Sequence, residues 1–158
     1  MTQLHHEHIV ACPYDTARRF LRERLEGFAL AGHIDRIELE AGTLRKEVDV
    51  RYTRANDPMH FDEPWSVHWE PHGGGPFPQF DGSLTVRADE TYSSSILELS
   101  GTYEPPFGFA GAAFDEVVGK HVAELTARAL LKSIGESMEL RYAEEEALKA
   151  SARAKEEQ

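Results

Sequence analysis

The sequence predicts an α+β fold in which a curved antiparallel sheet of about six strands wraps around one long C-terminal helix, with two short helices after the first strand. Three observations carry this expectation. Segments between residues 5 and 104 alternate apolar and polar side chains with period 2, the mark of strands with one buried face. Turn and breaker residues follow at short intervals, so successive strands pair as hairpins and the sheet is antiparallel. From Ala112 to about Leu148, no proline interrupts a pattern of helical spacing. At 158 residues and 41% hydrophobic content, the chain can bury a real core.

His5 to Cys12 reads as the first strand. Pro13 stops it and opens a helix over Tyr14 to Glu23, where Asp15 in the first turn complements the helix dipole. A second short helix covers Leu25 to Ala31 and ends at Gly32, a suitable C-terminal cap. Ile37 and Leu39 then alternate with charges, and Ala41-Gly42 marks a tight turn. Leu44 to Arg54 sends Val48, Val50 and Tyr52 one way and charged or polar residues the other. After a polar loop, Trp65, Val67 and Trp69 share a strand face. Beyond a glycine-rich loop, so do Phe80, Gly82, Leu84 and Val86. The last strand runs from about Tyr92 to Glu104, with Leu97, Leu99, Gly101 and Tyr103 on its apolar face.

On the long helix, 100° per residue puts Phe114, Val117, Val118, His121, Val122 and Leu125 on one stripe. Leu130, Leu131, Ile134 and Met138 fall on nearly the opposite side, so the two halves are expected to pack on different surfaces. Residues 1–148 read as a single domain. Residues 149–158 read as a charged helical extension or frayed tail.

Charge narrows the function. The net charge of −11 opposes binding to nucleic acid or an anionic membrane surface, and the basic clusters Arg18-Arg19 and Arg45-Lys46 are short. No run of 18 apolar residues exists to span a membrane. Met1 to His8 lacks a basic stretch followed by an apolar one, so the expected location is cytoplasmic. Cys12 is the sole cysteine, which rules out an intrachain disulfide and a cysteine-rich zinc site. At the end of an apolar run, it reads as a buried structural thiol.

Among polar residues, His121 stands out near the centre of the apolar stripe, where it needs a partner or a wet cavity. It could orient a ligand or act as a general base, or simply bond a backbone carbonyl. Arg128 and Lys132 continue the stripe and could meet an anionic head group or reach to solvent. His6 and His8 share a strand face, but a stable zinc site needs three or four protein ligands and spacing signals no third, so no metal is expected. Asp57, His60, Asp62 and Glu63 read as ordinary loop polarity. His72-Gly73-Gly74-Gly75 is similar to the oxyanion-hole segment of lipases, but no Gly-x-Ser-x-Gly elbow accompanies it.

The element order, with "HIVACPYDTARRFL" at residues 8–21 and "FDEVVGKHVAELTARALLKSI" at residues 114–134, resembles the START/Bet v 1-like (SRPBCC) superfamily, in particular its bacterial polyketide cyclase/dehydrase and lipid-transport-like branch. The resemblance covers roughly residues 5–140 and carries no diagnostic catalytic motif. It implies a helix-grip fold with a cavity between sheet and C-terminal helix, in which members bind lipids, hormones, polyketides or quinone-like molecules. The residues give independent support, since the inward faces mix large aromatics with Gly82 and Gly101.

The expected function is therefore binding of a small hydrophobic ligand, a lipid, quinone or aromatic polyketide-like molecule, without a cofactor. Trp65, Val67, Trp69, Phe80, Leu84, Leu97, Leu99 and Tyr103 would line the cavity from the sheet, and Phe114, Val118, His121 and Leu125 from the helix. The alternatives are a cyclase/dehydrase-type enzyme using His121 for proton transfer, helped by Tyr103, or a chaperone-activator-like domain whose acidic surface meets a protein partner. Nothing in the sequence points to a homo-oligomer.

Overall fold

The structure is a computed structural model that describes residues 2–55, 63–104 and 112–157; for Ala41, Leu44 and residues 112–117 it describes the backbone alone. Six strands, β1 (Thr2–Val10), β2 (Asp35–Ala41), β3 (Leu44–Arg54), β4 (Trp65–Pro71), β5 (Gln79–Ala88) and β6 (Ser95–Glu104), form one sheet. Its order is β1-β6-β5-β4-β3-β2, with every neighbouring pair antiparallel. Two helices complete the fold, α1 (Tyr14–Ala31) and α2 (Ala112–Glu156).

Register fixes the concave face. Val50 faces Trp69, Trp69 faces Phe80 and Phe80 faces Tyr103. Leu84 faces Leu99, and His6 on β1 continues that row past Leu99. One continuous apolar surface thus crosses the sheet, because every apolar set sits on the same side of the pleat. Both helices pack onto it, α2 reaching both sheet edges, β1 and β2.

Two short helices were expected after β1, and the structure has one continuous helix of 18 residues. Gly27 lies in its interior at a cost of about 1 kcal/mol relative to alanine. The burial of Ala17, Phe20, Leu21 and Leu25 on one face outweighs that cost. The helix ends where expected: Gly32 adopts φ 63°, and His33 N–H donates back to the Phe28 carbonyl at 3.0 Å.

The packing of α2 also departs from expectation. Among the described side chains its fully buried line runs through Ala123, Ala127, Leu130, Leu131, Ile134 and Met138, so the second stripe read from the sequence is extended backwards by alanines, with Val122 and Leu125 of the first stripe half-buried beside it. His121 lies about 120–180° around the helix from Ala123, Ala127, Leu130 and Ile134, and is exposed rather than buried. The alanines, and Gly135 against the His8 ring, let the helix approach the sheet closely. α2 is 45 residues long, about 68 Å, and continues past the expected Leu148 to Glu156, with exposed residues over most of its last four turns.

A buried polar group ties the layers together. Tyr52 donates a 2.6 Å hydrogen bond to Asp35, and Arg24 of α1 lies 3.6 Å from the same carboxylate and donates to Ser137 of α2. Burial, with the Asp35 charge beside it, pushes the Tyr52 hydroxyl well above its ordinary pKa, so it stays a donor.

Candidate functional site

The eight sheet residues expected to line a cavity do share the concave face, and all are buried. Their packing, however, is close. Trp69, Phe80, Leu84, Leu97 and Leu99 are each 0% exposed, so no water-sized void touches them. The Phe80 and Trp69 rings stack with centroids 4.2 Å apart, and Trp69 Nε1 donates to the Pro78 carbonyl at 3.1 Å. The expectation that Gly82 and Gly101 open space is corrected here. A Cβ on Gly101 would stand 2.7 Å from the Phe80 ring, and one on Gly82 2.8 Å from another atom of that ring. The paired glycines let the backbones of β5 and β6 come close, with the Ser100 and Asp81 carbonyls where a Cβ would stand, and leave room for the Phe80 ring over them.

Several clefts open on the surface: one of about 410 Å³ against Ser66, His68 and Gly82, one of about 440 Å³ against Gln3, His5 and Thr102, and one at the sheet edge that meets α2. Between β2 and α2 opens a cleft of about 470 Å³ lined by Glu38, Leu39, Glu40, Leu125, Arg128, Ala129 and Lys132. Leu39 is buried, and with half-buried Leu125 and Ala129 it gives the cleft an apolar floor. Arg128 and Lys132 bring two cations to the helix side. Lys132 lies 3.8 Å from Glu136, while Arg128 forms no ion pair within 4 Å among the described residues. Glu40 is drawn towards Arg45 at 2.9 Å.

Of the helix stripe read from the sequence, Val122 and Leu125 pack half-buried against the core, and the stripe's continuation borders the cleft. Leu125, Arg128 and Lys132 line it, and His121 stands one turn before Leu125 on the same face. Val118, one turn earlier, is 44% exposed. The side chain of Phe114 lies outside the described residues. Among the described residues His121 makes no hydrogen bond or ion pair. Tyr103, its expected helper, is buried, and burial raises its hydroxyl above the ordinary value.

The N-terminal histidines divide by strand alternation. His6 and His8 point to the concave side, and burial, then the nearby Arg128 charge, lowers the His6 pKa. His5 points outward, where Nε2 lies 3.2 Å from Glu98 and 3.9 Å from Glu7. Sequence spacing gave no sign of Glu98, which β6 brings to β1 across 93 residues. Cys12 is fully buried and its thiol is pushed up to about 11 by burial, as expected of a structural thiol.

Asp57, His60 and Asp62 lie outside the described residues; Glu63 pairs with Arg18 at 2.8 Å. Gly73, Gly74 and Gly75 all take positive φ, from 76° to 103°, which explains the glycine run as backbone geometry in the β4–β5 turn. No described helix is long and apolar enough to cross a membrane.

No family model matches the chain, and no curated protein matches it in sequence. Solved structures do match. TTHA0849 from Thermus thermophilus superposes with a TM-score of 0.52 at 14% identity, over 87% of this chain and 97% of that one. A START superfamily protein from Mycobacterium smegmatis gives a TM-score of 0.46 at 12% identity, over 90% of this chain and 97% of that one. DynU16, described as a protein in the dynemicin biosynthetic locus, gives 0.41 at 16% identity, over 90% of this chain and 47% of that one. At such identities the likeness is one of fold. The six-stranded curled sheet and the long closing helix form the helix-grip arrangement expected from the sequence, and this chain shares that fold with TTHA0849.

Proposed function

We propose that the protein binds a small amphipathic molecule in the cleft between β2 and α2. Its apolar body, lipid, quinone or aromatic polyketide-like, would rest on Leu39, Leu125 and Ala129, and its anionic group would meet Arg128 and Lys132. The observation that carries this reading is an apolar floor with Arg128 and Lys132 on its helix side; of the two carboxylates on the strand side, Glu38 and Glu40, the second is paired with Arg45. A volume of about 470 Å³ suits a small organic ligand. Arg128 is a fitting anchor, since its planar fork can hold a carboxylate bidentately.

The test uses dodecanoate and dodecanol as probes in isothermal titration calorimetry. Dodecanoate is expected to bind the wild type more tightly than the alcohol. The double variant Arg128→Gln, Lys132→Gln should lose on the order of tenfold or more in dodecanoate affinity, the scale of a hydrogen bond to a charged group, with dodecanol unaffected. Equal affinity for acid and alcohol, or no loss in the double variant, would remove the cleft from consideration as an anion-directed site.

A further inference from the structure

We propose that His5, Glu7 and Glu98 form a binding site for a divalent transition-metal ion of the zinc class on the outer, solvent-facing side of the sheet. One donor atom from each residue lies within 4.8 Å of the other two. His5 Nε2 is 3.2 Å from Glu98 Oε1 and 3.9 Å from Glu7 Oε1. Zinc bonds to nitrogen and oxygen of about 2.0–2.2 Å place tetrahedral donors about 3.3–3.5 Å apart. The first spacing thus fits without movement, and the remaining gaps close with small torsions of two surface glutamates.

The strand pairing supplies a second, independent reason. Glu7 and Glu98 are direct cross-strand partners in the β1–β6 ladder. Like charges placed opposite one another destabilise a sheet, and a dication between them reverses that term. In the metal-free chain Arg87 bridges the pair, Nε donating to Glu98 Oε2 at 3.2 Å and one terminal nitrogen to Glu7 Oε1 at 3.0 Å, so the ion would take the place of the Arg87 contact at Glu7 Oε1. The Nε contact leaves Glu98 Oε1 turned towards His5 and holds the carboxylate in the orientation a metal needs, as outer-shell partners do. An imidazole with two carboxylates suits zinc and its neighbours better than calcium or magnesium. The solvent side leaves a fourth position for water.

The experiment is equilibrium dialysis of the tag-free full chain against Zn²⁺, with bound metal counted per chain. The wild type is expected to hold one ion that Glu98→Gln and His5→Ala each weaken at least tenfold. His6→Ala, on the opposite face, is expected to leave it unchanged. Glu98→Gln keeps the side chain's size at a surface position, so it separates loss of metal from loss of folding, and far-ultraviolet circular dichroism checks the latter. No bound zinc in the wild type, an undiminished ion in Glu98→Gln, or loss of the ion in His6→Ala would each overturn the site.

Discussion

Replacing Phe80 by alanine tests the close packing of the concave face. Phe80 is 0% exposed, stacks on Trp69 at 4.2 Å and covers two glycines that offer no side chain to fall into the gap. Collapse around the deletion is therefore limited, and the loss belongs in the upper part of the 3–5 kcal/mol range for Phe→Ala, about 4 kcal/mol. With an m of about 2 kcal/mol per M, the urea midpoint should fall by about 2 M. Far-ultraviolet circular dichroism during urea titration reads it directly. A Phe80→Leu variant, which keeps most of the volume, should lose less than about 1.5 kcal/mol and covers the case in which the alanine variant does not fold. A loss below about 1.5 kcal/mol for Phe80→Ala would mean that the ring borders a void, and the sheet interior would return as the ligand site.

The remaining predictions concern titratable groups. His6 is held neutral in the fold by burial and by Arg128, while the unfolded chain protonates it near its ordinary 6.5. Its contribution to stability is therefore full above that pH and falls as the pH drops below 6.5, so His6→Gln should flatten the decline in urea midpoint between about pH 7.5 and 5.5. Arg128→Gln should raise the His6 pKa in an NMR titration; an unchanged value would separate the two groups. Cys12, raised from 9.0 to about 11, should react at about pH 8 at least about 100-fold more slowly in the folded protein than in urea, from ionisation alone. Fast native labelling would show that the thiol is not buried.

Local periodicity made the strands legible because a half-buried antiparallel strand repeats every two residues, and β3 and the faces of β4, β5 and β6 emerged as read. What failed was information that no single segment holds. The working face of α2 is set by Ala123 and Ala127, which score weakly as apolar but permit the closest approach to the sheet. A reading weighted towards the larger side chains therefore placed Val118 and His121 inward, where the structure exposes both, while Leu125 packs half-buried against the core. Gly82 and Gly101 looked like space for a ligand, since alternation does not show that Phe80 folds over them. The partnership of His5 with Glu98 depends on register between β1 and β6, fixed by packing rather than by spacing. Even so, Arg128 and Lys132 were visible as continuing a helix line, and that line is the one that borders the cleft.

The contrast between interior and edge decides where a ligand is cheaper to hold. Entry to the concave face requires displacing side chains such as Phe80, Leu84 or Leu99, each fully buried. Loss of such contacts costs several kcal/mol per large side chain, as truncation series show. A ligand would first have to offset that in full before any net affinity appeared. The β2–α2 cleft is already open, its apolar floor is formed, and Arg128 has no competing ion pair within 4 Å among the described residues. Binding there carries the cost of association common to any site and of side-chain ordering, on the order of 0.5–1.5 kcal/mol per immobilised chain, but no displacement of buried side chains. The same reasoning extends to His6. An anion at Arg128 would cancel part of the charge that holds His6 neutral, so occupancy of the cleft should raise the His6 pKa. An NMR titration of His6 with and without dodecanoate thus reads occupancy of this cleft in particular. If calorimetry showed dodecanoate binding while the His6 pKa stayed fixed, the ligand would have to lie elsewhere on the protein.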